Sequence, residues 1–188
     1  LDLGSAGALG SSNNFAFTGG ALEYSAANTT DYSSEIANST GAVSIDTNGQ
    51  NITFASALAA SNSGGLTKLG SGTLLLTGNN AYSGLTTITL GTLQVGNGGT
   101  TGSLGSGNVV DNASLVFDRS DAGASISSDI SGTGALTQAG TGTLLLTGSN
   151  SYTGGTTVSG GTLEFANNSL ALGANLAGNT ITLGGGTT

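Results

Sequence analysis

Apolar and polar positions alternate along most of this chain in short runs. Pairs of apolar residues two positions apart recur at Phe15/Phe17, Leu22/Tyr24, Val43/Ile45, Ile52/Phe54, Leu115/Phe117 and Ile181/Leu183. A period of two places both members of a pair on one face of a strand. Each run is about 4–6 residues long and ends at Gly, Asn, Asp or Ser, the residues of tight turns. The pattern predicts many short strands with one apolar face. Two Ala-, Asn- and Ser-rich stretches, Ser56–Ser63 and Ser169–Ala177, hold no helical stripe and read as loops protruding from the array.

The alternation repeats on a longer scale. Residues 65–95 and 135–165 align without a gap at an offset of 70, with 18 of 31 positions identical. The shared core is Gly-Thr-Leu-Leu-Leu-Thr-Gly, at Gly72–Gly78 and again at Gly142–Gly148. Tyr82 and Tyr152 each precede a glycine by two residues and suggest a packed corner. Gly19-Gly20-Ala21-Leu22-Glu23-Tyr24 echoes Gly160-Gly161-Thr162-Leu163-Glu164-Phe165, so the first third reads as a degenerate part of the same array. The expected units are 1–63, 64–133 and 134–188.

Ungapped duplication and glycine corners favour a solenoid over a sandwich or barrel, because stacked repeats bury a continuous core without a tryptophan anchor or disulfides. The expected fold is all-β, a right-handed parallel β-helix and a fragment of a longer array. At roughly 20–25 residues per coil the chain makes about eight coils. At ~4.8 Å per coil these give a length of about 40 Å. Leu74, Leu76, Leu93, Val95, Leu144, Leu146, Leu163 and Phe165 are the expected internal stacks. Thr86-Thr87 and Thr156-Thr157 are expected as hydroxyl ladders on outer faces or corners.

Composition sharpens this picture. There are 35 glycines among 188 residues, no Pro, Cys, His, Met or Trp, and only 6% charged residues. Disordered chains are poor in apolar residues and rich in charge; here 36% are hydrophobic and mean hydropathy is +0.16. The net charge of −8, with Lys68 and Arg119 as the only cations, argues against nucleic acid and anionic membrane surfaces as partners. The longest aliphatic run is Leu74-Leu75-Leu76, far short of the ~18 residues of a membrane helix.

The run GxGTLxLTGxNxYxGxTT followed by GGTLxV, carried by Gly70–Val95 and Gly140–Phe165, resembles the autotransporter-associated β-strand repeat, also called the passenger-associated transport repeat. Leu85 and Leu90 stand where the pattern has glycine, which leaves the local turn geometry open. The resemblance implies a β-helical passenger exported through an outer-membrane β-barrel of the same parent chain and located outside the cell or at its surface. The implied role is a display stalk that supports export. The alternative is an adhesin or self-associating fibre module, binding glycans or sister passengers end to end or side by side.

The residues offer little chemistry. Without His or Cys, catalysis lacks its usual bases and nucleophiles, and no enzyme or cofactor is expected. Asp118-Arg119-Ser120-Asp121, with Asp129 nearby, is the densest charged cluster. Its plain reading is a solvated loop with a surface ion pair. Asp118, Asp121 and Asp129 are also candidate calcium ligands, since hard cations take clustered oxygens. Lys68 has no partner close in sequence.

Overall fold

The computed structural model describes residues 1, 2, 4, 5, 9, 14–165, 172, 173 and 181–184. In chain order the strands are β1 Leu22–Glu23, β2 Val43–Asp46, β3 Ile52–Phe54, β4 Leu66–Leu69, β5 Thr73–Leu76, β6 Thr86–Ile88, β7 Thr92–Gly99 and β8 Val109–Asp111. They continue with β9 Ser114–Arg119, β10 Ala124–Ile126, β11 Ile130–Ser131, β12 Ala135–Gln138, β13 Thr143–Leu146, β14 Thr156–Val158, β15 Thr162–Phe165 and β16 Ile181–Leu183. The one helical turn among the described residues is the 3₁₀ segment Ser33–Glu35.

All these strands pair in parallel, and each pairs with the strand one coil away. One sheet runs β1-β2-β4-β6-β8-β11, a second runs β3-β5-β7-β9-β12-β14-β16, and a third runs β10-β13-β15. The molecule is therefore a parallel β-solenoid. Its longest stack has seven strands, so the described coils number about seven against the expected eight. Leu66, Thr86, Val109 and Ile130 occupy successive rungs of one column, giving coils of 20–23 residues.

Alternation sets what goes inside. Ile52, Leu74, Leu93, Leu115 and Leu136 form one inward column, and Phe54, Leu76, Val95 and Phe117 form another. All are buried. Full burial of each such side chain contributes about 1.5–3 kcal/mol, against the entropy of ordering a glycine-rich backbone. On the third face Ala124 and Ile126 begin the same arrangement and Leu144 and Leu146 continue it. Leu163 is only half-buried and Phe165 is 53% exposed. The expected burial of Phe165 is thus not met: β15 ends its sheet, and no described strand pairs on its outer side.

Two further expectations need correction, and a third is not tested by the described residues. Ser56–Ser63 does not protrude: Leu58 is buried, and its carbonyl accepts from the Ala81 N–H of the next coil. Ser169–Ala177 falls almost wholly outside the described residues. Only Thr87 and Thr157 of the threonine pairs face outward, in register with Thr67 and Thr137; Thr86 and Thr156 are buried.

The two sequence repeats do not lie above one another. Leu66 of the first repeat stacks on the six-stranded sheet between Val43 and Thr86. Its twin Leu136 stacks on the seven-stranded sheet between Leu115 and Thr156. Three coils from Leu66 bring the chain to Ile130, and the second repeat starts one strand later, at Ala135. The offset of 70 is three coils plus one face, so the second repeat is turned by one side of the solenoid.

Side-chain direction makes a direct prediction. Leu144→Ala, at an inward and buried position, should lower stability by about 2–5 kcal/mol in urea unfolding. Leu145→Ala, on the outward face of the same strand, should cost under about 1 kcal/mol. Equal effects would contradict the register.

Candidate functional site

The repeat motif places three polar devices inside the tube. In the first, Asn80 accepts the Leu58 N–H on Oδ1 at 2.7 Å, and its amide donates to the Gly78 carbonyl at 3.2 Å and the Ser103 carbonyl at 2.7 Å. It thereby bonds the coil before and the coil after. Its twin Asn150 accepts the Ile130 N–H at 2.9 Å, and Asn62 takes the Ser39 N–H in the same way at 3.0 Å. The second device is the tyrosine corner. Tyr82 and Tyr152 are fully buried, and their hydroxyls meet Oγ1 of Thr86 at 2.8 Å and of Thr156 at 2.6 Å. Burial raises both phenols above the ordinary tyrosine range. The spacing Asn-x-Tyr-x-Gly-x-Thr thus encodes a coil-to-coil bond, a core-filling ring and the partner that satisfies its hydroxyl.

The third device is Lys68. Its position two residues after Leu66 on β4 makes it inward-facing, between Ile45 and Ile88, and it is fully buried. Nζ donates to the carbonyls of Leu69 at 2.8 Å, Gly70 at 2.7 Å and Leu90 at 3.1 Å. Burial pulls its pKa down to about 8, with Asp46 acting in the opposite sense. The twin Gln138 is buried as well and donates to the carbonyls of Gly140 at 3.0 Å and Gly142 at 3.1 Å. The alternation of β4 contained the signal for this inward lysine, although its partners are backbone carbonyls that no side-chain motif reveals.

Two rungs further along the same column, Asp111 is also buried. Its Oδ1 accepts the Ala113 N–H at 3.0 Å. The carboxyl lies directly against the backbone of Gly134, where any Cβ would collide with it. Burial raises its pKa to about 6, opposed by the Ala113 bond.

The charged cluster is dispersed by the fold. Arg119 pairs with Asp121 through Nε–Oδ1 at 2.9 Å and NH2–Oδ2 at 2.7 Å. It also donates to the carbonyls of Gly102 at 2.6 Å and Thr100 at 2.8 Å. The expected surface pair therefore exists, but the arginine side chain is only 11% exposed and clamps the 100–102 loop to the turn after β9. The arginine holds the Asp121 carboxyl below its ordinary range. Asp129 accepts the Ser149 N–H at 2.7 Å, and Asp118 lies 3.5 Å from the Gln94 amide. Among the described residues, no three acidic, histidine or cysteine side chains converge as metal ligands.

One recess opens in the wall beside this clamp, between residues 102–107 and 123–128. Its volume is about 110 Å³, below the roughly 300 Å³ of small-molecule sites. The Arg119 bonds close one end, and Ser128 Oγ, donating to the Ser106 carbonyl at 2.9 Å, closes the other. Its floor is Phe117, Val109 and Ile126. No nucleophile–base pair or acid pair faces it.

A model of the passenger-associated transport repeat matches residues 66–95 and 136–165, the same stretches that carry the asparagine and tyrosine devices. These are autotransporter passenger repeats. A curated protein similar to this chain is named adhesin BmaC autotransporter, from Brucella suis biovar 1 (strain 1330), 55% identical over 56 residues. The match covers 30% of this chain and 2% of that relative. No solved structure matches. A passenger lies outside the cell or at its surface, and no helix among the described residues is long and apolar enough to cross a membrane.

The buried ionisable groups give the passenger segment an unusual pH profile. The Asp111 pKa is raised on folding, so its contribution is full below about pH 4 and is lost as pH rises through about 6. The Lys68 pKa is lowered, so its contribution is lost as pH falls through about 8 and recovered toward pH 10. Urea midpoints should therefore be lowest between about pH 6 and 8. Lys68→Gln, which copies the second repeat, should flatten the alkaline limb and stabilise at pH 7 by roughly 1–3 kcal/mol. An unchanged alkaline limb would show that Lys68 is not buried as an ammonium.

Tyr152→Phe should cost about 1–3 kcal/mol in the same assay, because it leaves the Thr156 hydroxyl buried without its partner.

Proposed function

We propose that this passenger segment is a non-catalytic display rod, joined through its parent chain to an outer-membrane β-barrel translocator. The observation that carries the reading is the unbroken run of parallel rungs, seven strands long on one face. Each coil contacts mainly its neighbours, so stability and folding propagate along the axis. A chain emerging unfolded from a pore can add one coil at a time to the last one formed. Buried asparagines favour that order, since Asn62, Asn80 and Asn150 each complete a bond to the coil before. The near absence of ionisable groups in the repeats lowers the cost of passing through a narrow pore.

A second reading, an adhesive module, draws on the name of the similar autotransporter. On that reading the outer faces bind glycans, which a glycan array probed with the purified segment would reveal.

The rod reading makes the two repeats interchangeable. Deleting residues 66–135 joins Gly65 to Leu136 and keeps the repeat pattern intact across the junction. The shortened parent chain should still display an N-terminal tag at the cell surface. The purified segment should stay folded, turn the second repeat by one face of the solenoid and lose a little over three coils, about 15 Å in length by small-angle scattering. Loss of display together with loss of cooperative unfolding would contradict the rod reading.

A further inference from the structure

Five large apolar side chains are strongly exposed among the described residues. Leu1, Phe165 and Leu183 lie on the first and last described coils, whereas Leu85 (46%) and Leu90 (54%) lie in the middle of the solenoid. These two flank β6 on either side, and both stand where the second repeat has glycine, Gly155 and Gly160. At the first site the backbone differs too. Gly155 has φ +88°, while Leu85 is not among the residues with positive φ. The first repeat therefore accommodates leucine by a different turn.

The surface around them is free of charge. From Thr47 to Val110 the sole charged side chain is Lys68, and it is buried. The outward residues of β4, β6 and β8 are Thr67, Leu69, Thr87 and Val110. Charge resumes on this face only at its margins. Asp46 lies one rung before Leu69, and Asp129 adjoins Val109 from the following coil, its carbonyl accepting the Val109 N–H.

We propose that this belt, centred on Leu85 and Leu90, is a side-to-side docking surface for a second copy of the same solenoid. Two chains of net charge −8 repel each other over most orientations. Facing their neutral belts brings apolar side chains together and leaves the acids at the rim. A two-fold contact brings this same neutral surface of each copy together. Three rungs about 4.8 Å apart and some six residues wide give roughly 300 Å² per partner, below the ~800 Å² of a standard stable interface. A single belt pairs weakly, and repetition along a long passenger multiplies the effect.

Sedimentation equilibrium of the purified chain up to about 1 mM tests this, in low salt and in 0.5 M NaCl. The expected result is reversible dimerisation that strengthens in high salt as the rim acids are screened. Leu85→Ser/Leu90→Ser, with unchanged thermal unfolding, should weaken it at least tenfold. Leu90→Lys is the sharper variant. It reduces the net negative charge, yet should weaken pairing because it places an ammonium group in the apolar contact. A chain that stays monomeric at 1 mM in high salt overturns the proposal. So does dimerisation that survives both variants, which would place the contact at the coil ends, or pairing that Leu90→Lys strengthens.

Discussion

The structure rests on the parallel ladder between one coil and the next. A single coil of 20–23 residues encloses too little apolar volume to offset the ordering of a glycine-rich backbone. Stacked coils share their inward columns, so each leucine is covered by the rung above and the rung below. Polar residues that the alternation directs inward must then find partners inside the wall. The glycine turns supply them: their carbonyls take the ammonium of Lys68 and the amide of Gln138. The turn asparagines close the remaining gaps between coils.

The same constraint separates sequence period from structural phase. The repeat returns after three coils and one face, so identical motifs lie on different sides of the rod. Thr87 points outward from the six-stranded sheet and its twin Thr157 from the seven-stranded one. A feature added to one repeat, as with Leu85 and Leu90, marks one side of the solenoid and has no copy directly above it. The faces of the passenger can thus diverge while the wall keeps one building pattern.

Much of this was legible beforehand because alternation is a local property. Leu74, Leu76, Leu93, Val95, Leu144 and Leu146 are buried where the period of two puts them. The repeat motif also marked the corners at Tyr82 and Tyr152. Other features depend on which coil lies next. The rotation between repeats depends on coil length, which varies by a few residues without a strong sequence mark. Arg119 looked like a solvated partner of Asp121, because the 100–102 carbonyls it also holds lie 17 or more residues away. Nothing local in the sequence marked Asp111, whose carboxyl is covered by Gly134 from the following coil.

The central claim is that the chain climbs one axis in register, and a distance between remote residues tests it most directly. Thr53 and Thr157 lie in one outward column, linked rung by rung through Leu75, Gln94, Val116 and Thr137. Spin labels at these two positions should give a narrow dipolar distance distribution near 24 Å, five rungs of about 4.8 Å. A broad distribution, or a distance far from that value, would contradict the stacked-coil account.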